Sequence, residues 1–300
     1  MNHEGSTFLS GAAASAAFFF FAKELDALVA DDTPNASFFR FKAADSEAAF
    51  RKYDENVHWP AISMATVKPV GGERVVVAVG PQGDFWELFP ASTNEVLGTF
   101  PVVANLRRLS VVDDAIYACG MDRAVFLRRG TGQWQSIGPG PAPADPPVVG
   151  FEDLGGFGEA EMYAVGWGGE LWWRDHGTWR RADSPTNANL CALACAPDGT
   201  VHVVGHDGVM LRGRQDQWRL VDTGRRDILR DVAVLDGEVY VVSDFAIYRL
   251  GDAGLEADPD LVDDPPATCL HLLEAADGLV SLGQKDVFLK PAGGRWRRLV

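Results

Sequence analysis

A pattern of about 40 residues recurs six times in this chain and constrains its fold more than any other feature. In each copy an apolar run ends on a small residue, a short turn follows, and a second apolar run comes after the turn. The small residues, called anchors here, are spaced by 40, 46, 39, 38 and 40 residues. They are Gly80, Gly120, Gly166, Gly205, Ser243 and Gly283. Self-similarity at a period of this length indicates a repeat architecture.

Each repeat is predicted to hold four short β-strands. Two strands are the apolar runs around the anchor, and another β-rich run, such as residues 190–196 (LCALACA), precedes them. In four repeats a tryptophan 13 or 14 residues beyond the anchor marks the fourth strand; these are Trp134, Trp179, Trp218 and Trp296. Asp-Asp and Asp-Gly pairs lie between this preceding run and the apolar run that ends at the anchor. They indicate tight hairpin turns, because Asp and Gly tolerate positive φ.

Four-stranded sheets of this size predict a closed β-propeller. Such a sheet does not bury both of its apolar faces alone, whereas radial packing around an axis buries both and leaves only short edges. A linear solenoid needs altered capping repeats, and the last repeat shows no such change through Trp296. We therefore expect an all-β propeller of six four-stranded blades over residues 61–300, with seven blades as the alternative.

Residues 1–60 lie outside the repeat pattern. We expect this N-terminal segment to pack on or close the propeller, as a seventh blade, an added edge strand or a plug across the channel. Residues 38–41 (FFRF) predict a strand, and residues 46–53 predict a short helix. The apolar residues 8–22 are too few to span a bilayer as a helix, and no Lys or Arg precedes them as in a secretory signal.

Residues 164–179 (AVG through GTW) and 203–218 give the best local matches to known repeats. They resemble the propellers of the photosystem II assembly-factor type and the related sialidase-repeat group, in which an apolar-Gly run precedes a strand and a G-x-x-W-like turn. The resemblance covers about residues 61–300 and implies the architecture. The Asp-box of the sialidase group is incomplete everywhere and no F-R-I-P segment is present, which argues against glycosidase activity.

Charge and cysteine content narrow the classes of partner and compartment. The chain has 27 Lys and Arg against 42 Asp and Glu, a formal net charge of −15. This charge disfavours nucleic acid and anionic membranes as partners and favours a protein with a basic surface. The four cysteines lie scattered in apolar runs, as expected of reduced, buried thiols in a cytoplasmic protein.

Local signatures of common catalytic and cofactor sites are missing. The chain contains no H-E-x-x-H, G-x-S-x-G, Walker-type or strand-following G-x-G-x-x-G motif. The most metal-like set is Cys191, Cys195, His202 and His206. Residues four apart on a strand lie about 13 Å apart, too far to share one ion. We therefore expect no catalytic residue, no cofactor and no metal site.

The predicted topology indicates where a binding site lies. If the first strand of each blade is innermost, the turns between second and third strands share one face with the connections between blades. Those turns supply the candidate binding residues Asp122, Arg123, Trp167, His206, Asp207, Asp244, Phe245 and Lys285. The connection over residues 256–267 adds Asp258, Asp260, Asp263 and Asp264 without one basic residue. We expect either a solvated connection or a docking surface for a cationic protein.

Three functions remain open from the sequence. The first is a non-enzymatic, monomeric, protein-binding propeller, of which a bacterial immunity protein that neutralises a basic toxin such as a nuclease is one version. The second is an assembly or chaperone-like scaffold, which the photosystem-factor resemblance implies. The third is a glycan-binding or glycoside-hydrolysing propeller, which the sialidase-repeat resemblance implies.

Overall fold

Seven four-stranded antiparallel sheets form a ring in the computed structural model, which describes residues 5–43, 49–102, 105–142 and 148–300. The four strands of each sheet follow one another in the chain. The first strands of successive sheets contact one another, and the first strand of the last sheet contacts the first strand of the first. The protein is therefore a closed β-propeller with its first strands innermost.

The blades are numbered in chain order and each holds four consecutive strands. Blade 1 contains β1 (Ser6–Ser15), β2 (Phe18–Leu25), β3 (Ala36–Lys42) and β4 (Phe50–Val57), with helix α1 (Asp26–Ala30) between β2 and β3; blade 2 contains β5 (Ser63–Val67), β6 (Val75–Val79), β7 (Asp84–Phe89) and β8 (Asn94–Thr99); blade 3 contains β9 (Leu106–Val112), β10 (Ala115–Gly120), β11 (Ala124–Gly130) and β12 (Gln133–Ser136). Blade 4 contains β13 (Phe151–Gly158), β14 (Glu161–Gly166), β15 (Leu171–Asp175) and β16 (Thr178–Arg181); blade 5 contains β17 (Leu190–Cys195), β18 (Val201–Gly205), β19 (Met210–Arg214) and β20 (Gln217–Val221). Blade 6 contains β21 (Asp231–Leu235), β22 (Glu238–Val242), β23 (Ile247–Gly251) and β24 (Gly254–Ala257); blade 7 contains β25 (His271–Ala275), β26 (Gly278–Leu282), β27 (Val287–Pro291) and β28 (Arg297–Arg298).

The prediction of six blades is wrong, and the stated alternative of seven is correct. Residues 6–57 form the additional blade, and the expected boundary at residue 60 lies in the connection between blades 1 and 2. The strand predicted over residues 38–41 is confirmed within β3. The helix predicted over residues 46–53 is wrong for residues 50–53, which belong to β4, while residues 46–48 lie outside the described residues.

The anchor glycines are required by a close approach between backbone segments. Gly166 and Gly205 end the second strands of their blades, where the chain entering the first strand passes directly against them. A Cβ atom at Gly166 would lie 1.8 Å from the carbonyl oxygen of Gly150, and one at Gly205 would lie 2.3 Å from that of Asn189. Only a residue without a side chain fits there, so the spacing of these glycines reports the spacing of the blades.

The hydrophobic core is divided among the interfaces between neighbouring blades. Seven clusters of buried side chains occur, and each is drawn from two adjacent blades. Trp218 of blade 5 packs against Tyr163 of blade 4 at 6.0 Å between ring centroids, and Trp296 of blade 7 packs against Tyr240 of blade 6 at 6.1 Å. The recurring tryptophan therefore joins its own blade to the preceding one.

The ring closes between blades 7 and 1 without exchange of a strand. The backbone N–H of Phe8 donates to the carbonyl of Gln284 at 2.9 Å, and that of Ala16 donates to the Asp277 carboxylate at 2.6 Å. At Gly11 a Cβ atom would lie 2.8 Å from the Leu273 side chain, so the first strands approach closely. An apolar cluster that spans both blades completes this seam.

Phe38→Ala tests whether blade 1 is an integral part of the ring. The Phe38 ring is fully buried and stacks on Trp86 of blade 2 with 3.9 Å between centroids. We expect the substitution to lower the free energy of unfolding by about 3–5 kcal/mol in a single transition, measured by urea denaturation. Leu97→Ala, at an exposed position of blade 2, is the control. A separate early transition that leaves the rest of the ring folded would contradict this assignment.

Candidate functional site

An axial channel with a volume of about 1330 Å³ runs through the ring and is lined mainly by the first strands. The face that carries the turns between second and third strands and the connections between blades is called the upper face here. Eight side chains from five blades and the connections between them surround the upper mouth of the channel. They are Arg107, Glu152, Trp167, Asn189, His206, Arg230, Asp244 and Gln284.

Arg108 bridges the channel below this mouth. Its guanidinium lies 3.1 Å from the Asp153 carboxylate of blade 4 and donates to both carboxylate oxygens of Asp231 in blade 6 at 2.7 Å. Asp231 and Asp153 are buried, so the two ion pairs are poorly screened by solvent. This bridge links blades that are not neighbours and holds the first strands in a fixed arrangement.

The same two carboxylates also join neighbouring blades through backbone donors. Asp153 accepts the N–H groups of Leu154 at 2.8 Å and of Leu193 in blade 5 at 2.9 Å. Asp231 likewise accepts the N–H groups of Val232 and of Leu272 in blade 7, both at 3.0 Å. Each carboxylate is therefore part of the scaffold, and neither is a free acid or base.

Burial sets the protonation behaviour of the acids in the channel. Burial raises the pKa of Asp153 to about 6 despite the opposing charge of Arg108, and it raises the pKa of Glu274 to about 7. Glu274 faces the open channel and accepts the N–H of Val234 at 3.0 Å. Burial opposes the charge on Arg108, but Asp153 and Asp231 outweigh it, so the pKa of Arg108 is raised.

Trp167 forms one side of the upper mouth. It begins the short turn after β14 and is 37% exposed, and its indole N–H donates to the Glu152 carboxylate. Glu152 also contacts Arg107 at 3.3 Å, and the next residue of the turn, Gly168, donates its N–H to Asn189 at 2.8 Å. The indole is held at its polar edge while part of its apolar face remains open, which is suited to contact with a protein.

Asp244 forms another part of the mouth, on blade 6. The Asp244 carboxylate accepts from Arg230 at 2.7 and 3.2 Å, which fixes the turn. Phe245 follows Asp244 directly and is 71% exposed, compared with 37% for Trp167. A bulky apolar ring is therefore presented on a turn whose base is held by an ion pair.

The remaining turn residues divide into exposed and buried groups. Asp122 and Asp207 are exposed with φ of 56° and 57°, a conformation that Asp tolerates, and His206 is half-buried at the channel mouth. Lys285 lies on the upper face but its amine contacts the Asp26 carboxylate at 2.8 Å across the seam. Thus Asp122 and Asp207 are open to a partner, whereas Lys285 helps to close the ring.

Arg123 does not fit the predicted binding role. Its side chain is 2% exposed, and it donates to both carboxylate oxygens of Glu170 at 2.7 and 3.0 Å. The guanidinium also lies 4.8 Å from the centroid of the Trp172 ring. Because Glu170 and Trp172 belong to the next blade, Arg123 connects blades 3 and 4 and is part of the scaffold.

The acidic connection after blade 6 does not fit the predicted docking surface for a cationic protein. Blade 7 supplies cations that the local sequence lacks, and they pair with its carboxylates. Asp258 is buried and accepts from its own segment, while Asp260 contacts Arg295 at 2.7 Å. Asp264 contacts Arg298 at 2.7 Å, and these pairs lower the pKa of both Asp260 and Asp264. Among the described residues neither Asp258 nor Asp263 forms an ion pair, and of these two only Asp263 is exposed. The connection packs against the outermost strand of blade 7, away from the channel mouth.

Several residues of the upper face escaped the sequence analysis. Arg107, Glu152, Asn189 and Arg230 lie at the ends of first strands or just before them and come together only through the ring. Leu25, Leu28 and Val29 are exposed in the long turn of blade 1, which shows no anchor residue. The only available signal for that turn was the short apolar segment ending in Asp31-Asp32.

The two cysteines and two histidines considered as metal ligands in the sequence lie on two different strands and a turn. Cys191 and Cys195 lie on β17, and His206 lies in a turn at the channel mouth. His202 lies buried on β18, where burial lowers its pKa to about 4 and keeps it neutral. Within the residues that the structure describes, no group of three or more His, Cys, Asp or Glu side chains is arranged to hold a metal ion.

The described helices include none with the length and apolar character needed to cross a bilayer.

Comparison with known proteins gives one sequence relative and many structural ones. The immune protein Tsi7 of Pseudomonas aeruginosa is 37% identical over 259 residues, which cover 82% of this chain and 82% of the relative. Among solved structures, YCF48 bound to D1 peptide has a TM-score of 0.68 at 16% identity, covering 96% of this chain and 94% of its own. YCF48 from Cyanidioschyzon merolae has a TM-score of 0.69 at 12% identity, with 96% of both chains covered. No family model matches the chain. The resemblance to propellers of the photosystem II assembly-factor type is thus confirmed for the fold.

Glu274→Gln tests the electrostatics of the channel. Because the pKa of Glu274 is raised from 4.5 to about 7, the folded protein retains a proton that the unfolded chain releases, so stability falls as pH rises through this window. Glutamine keeps an oxygen acceptor for Val234 but carries no charge. In the variant we expect the decline in the free energy of unfolding to flatten between about pH 6 and 7. This window lies above the pKa of Asp153, which is about 6. One proton contributes a slope of at most about 1.4 kcal/mol per pH unit, and the change expected here is smaller because the Glu274 side chain is exposed to the channel and screened by solvent.

The measurement is urea denaturation at several pH values, with Glu256→Gln on the exposed outermost strand of blade 6 as the control. An unchanged pH profile in Glu274→Gln would show that this carboxyl is not the group that titrates there.

Proposed function

The chain belongs to the family of bacterial immunity proteins that includes Tsi7, and on this premise we propose that it neutralises a toxin by covering it with the upper face of the propeller. The 37% identity, which extends over 82% of both chains, is the single observation that carries the proposal. An alignment of this extent spans most of the ring, so the likeness concerns a whole propeller and not an isolated blade.

The distribution of exposed apolar side chains supports the upper face as the docking surface. Twelve large apolar side chains are notably exposed among the described residues. Seven of them lie in the upper-face turns or in the connections after blades 2 and 3: Leu25, Leu28, Val29, Val102, Val148, Trp167 and Phe245. An eighth, Val262, lies in the connection that packs against the outermost strand of blade 7. In the described turns of the lower face only Val70 is exposed in this way, and a single exposed apolar residue needs no explanation by itself. Concentration on one face is typical of a protein-interaction surface.

Charge supports a basic partner. The net charge of −15 favours encounter with a cationic protein, and Asp122 and Asp207 add exposed carboxylates beside the channel mouth. A toxin that acts on an anionic substrate such as nucleic acid needs a basic surface of this kind. Covering that surface neutralises the toxin without any reaction by the immunity protein.

We assign no catalytic step to the chain, and we place its action as a monomer in the cytoplasm. The buried channel carboxylates of Asp153 and Asp231 are already used in bonds between blades. All four cysteines are free thiols, in keeping with a reducing compartment. The structural likeness to YCF48, described with a bound D1 peptide, is a likeness of fold and does not favour a scaffold function.

Trp167→Ala and Phe245→Ala test the upper face with a defined partner, the protein encoded by the gene immediately upstream of the gene for this chain, called the upstream protein here. Exposed aromatic residues are frequent anchors of protein interfaces. We expect each substitution to raise the Kd about 10- to 100-fold, chiefly through faster dissociation, as measured by surface plasmon resonance.

Val70→Ala on the lower face serves as the control and should leave the Kd unchanged. Equal affinity of the aromatic variants and the wild type would exclude these side chains from the interface. Failure of the wild-type chain to bind the upstream protein would overturn the proposed pairing itself.

A salt titration tests the charge argument separately. We expect the association rate of the wild-type chain with the upstream protein to fall severalfold between 50 and 300 mM NaCl, because salt screens steering between opposite charges. An association rate that rises or stays constant with salt would contradict a basic partner surface.

A further inference from the structure

Blade 1 carries an insertion on the upper face that the other blades lack. Its second and third strands, β2 and β3, are separated by ten residues, 26–35, whereas three or four residues separate the corresponding strands in every other blade. The insertion contains α1 and a turn at Asp32, whose φ is 52°. Residues 25–35 are called the knuckle here. Insertions into one repeat of a ring map to loops on one face, which is often the face that binds.

The base of the knuckle is held firmly. The Asp26 carboxylate accepts from Thr7 at 2.7 Å and from Lys285 of blade 7 at 2.8 Å, and the Asp26 N–H donates to the carbonyl of Gly5 at 3.0 Å. Asn35 accepts the N–H of Leu25 at 2.9 Å and thereby closes the other end. The knuckle is therefore fixed in position before any partner arrives, which lowers the entropic cost of binding.

The tip of the knuckle is apolar, and none of the described residues buries it. None of the residues of α1 is buried. Leu28 and Val29 at the tip are 36% and 43% exposed, and Leu25 at the base is 48% exposed, which places three aliphatic side chains within five positions. Elsewhere among the described residues, large apolar side chains are exposed one at a time along the chain. Because none of the residues of α1 is buried, its apolar side chains add little to the stability of the fold and remain available to a partner.

Carboxylates surround this apolar tip. Asp31 and Asp32 follow α1 directly, Asp26 begins it, and residues 25–35 contain no Lys or Arg. Two described cations lie near its base: Lys285 pairs with Asp26, and the charge of Lys23 also helps to lower the pKa of Asp26. The tip therefore presents aliphatic surface within a negative rim, and the complementary surface is an apolar depression bordered by Lys or Arg.

We propose that the knuckle is a specificity-determining contact for the toxin, inserting Leu28 and Val29 into an apolar depression of the toxin while Asp31 and Asp32 face basic residues at its border. This inference rests on the proposed function. The knuckle belongs to blade 1, whereas Trp167 belongs to blade 4, so the two contacts lie on different sides of the channel mouth. A toxin that reaches both covers the mouth of the channel.

Two double variants separate the apolar and the charged parts of the proposal. Leu28→Ser with Val29→Ser removes the aliphatic tip, and we expect the Kd for the upstream protein to rise at least about tenfold through faster dissociation. Asp31→Lys with Asp32→Asn changes the rim charge, and we expect association to slow severalfold and to depend less on salt. Asn is chosen at position 32 because it tolerates the positive φ found there.

Matched controls carry the same chemical changes away from the upper face. Val70→Ser with Leu220→Ser removes two exposed aliphatic side chains, and Asp216→Lys with Asp252→Asn makes the same charge change on lower-face turns. All four double variants are expected to keep the melting temperature and circular dichroism spectrum of the wild type, because the altered side chains are exposed.

The possible results are distinguishable. Loss of affinity in the knuckle variants but not in the controls supports the proposal. Wild-type affinity in both knuckle variants overturns the proposal and leaves the proposed function intact, since the upstream protein is then bound elsewhere. A wild-type chain that does not bind the upstream protein overturns both. A knuckle variant with a lowered melting temperature is replaced by Val29→Ser alone, which is judged by the same two outcomes.

Discussion

Each sheet of this protein has two apolar faces, and only a ring of sheets covers both faces of every member. The seven buried clusters, one at each interface between blades, express this constraint directly. Loss of one interface exposes two apolar faces at once. The stability of the ring therefore depends on its weakest interface as well as on the average interface. The seam between blades 7 and 1 meets this demand with backbone hydrogen bonds, an apolar cluster and the pair between Lys285 and Asp26.

The fold could be predicted from the sequence wherever local chemistry repeats with the blades. The anchor glycine recurs because the backbone of the first strand passes within contact of the second, and the tryptophan recurs because it packs on the preceding blade. Blade 1 meets the same packing requirements with other residues, such as Phe38 stacked on Trp86, and has no anchor to count. A period search detects repeated residues and does not detect repeated shape, so it found six blades of seven.

The candidate site was predictable in its location and not in its side chains. The order of strands within a blade determines which turns share a face, and Trp167, His206 and Asp244 do line one mouth of the channel. Whether a charged residue is available depends on partners from other blades, which no local pattern contains. Arg123 is taken by Glu170, and Asp260 and Asp264 are taken by Arg295 and Arg298, so an acidic stretch of sequence became a compensated surface.

The buried charges of the channel bear on the proposed binding of a toxin by the upper face. Arg108 reaches from blade 3 to Asp153 in blade 4 and Asp231 in blade 6, and both carboxylates also hold backbone groups of the blades that follow them. Removing one partner would leave an uncompensated buried charge, so the first strands resist sliding against one another. The apolar groups of the upper face are carried on short turns, or on a knuckle tied at both ends, and all of these rest on that rigid inner ring. Their mutual positions are consequently set before a partner binds, and the selectivity of the face follows from whether the partner presents complementary groups at those positions.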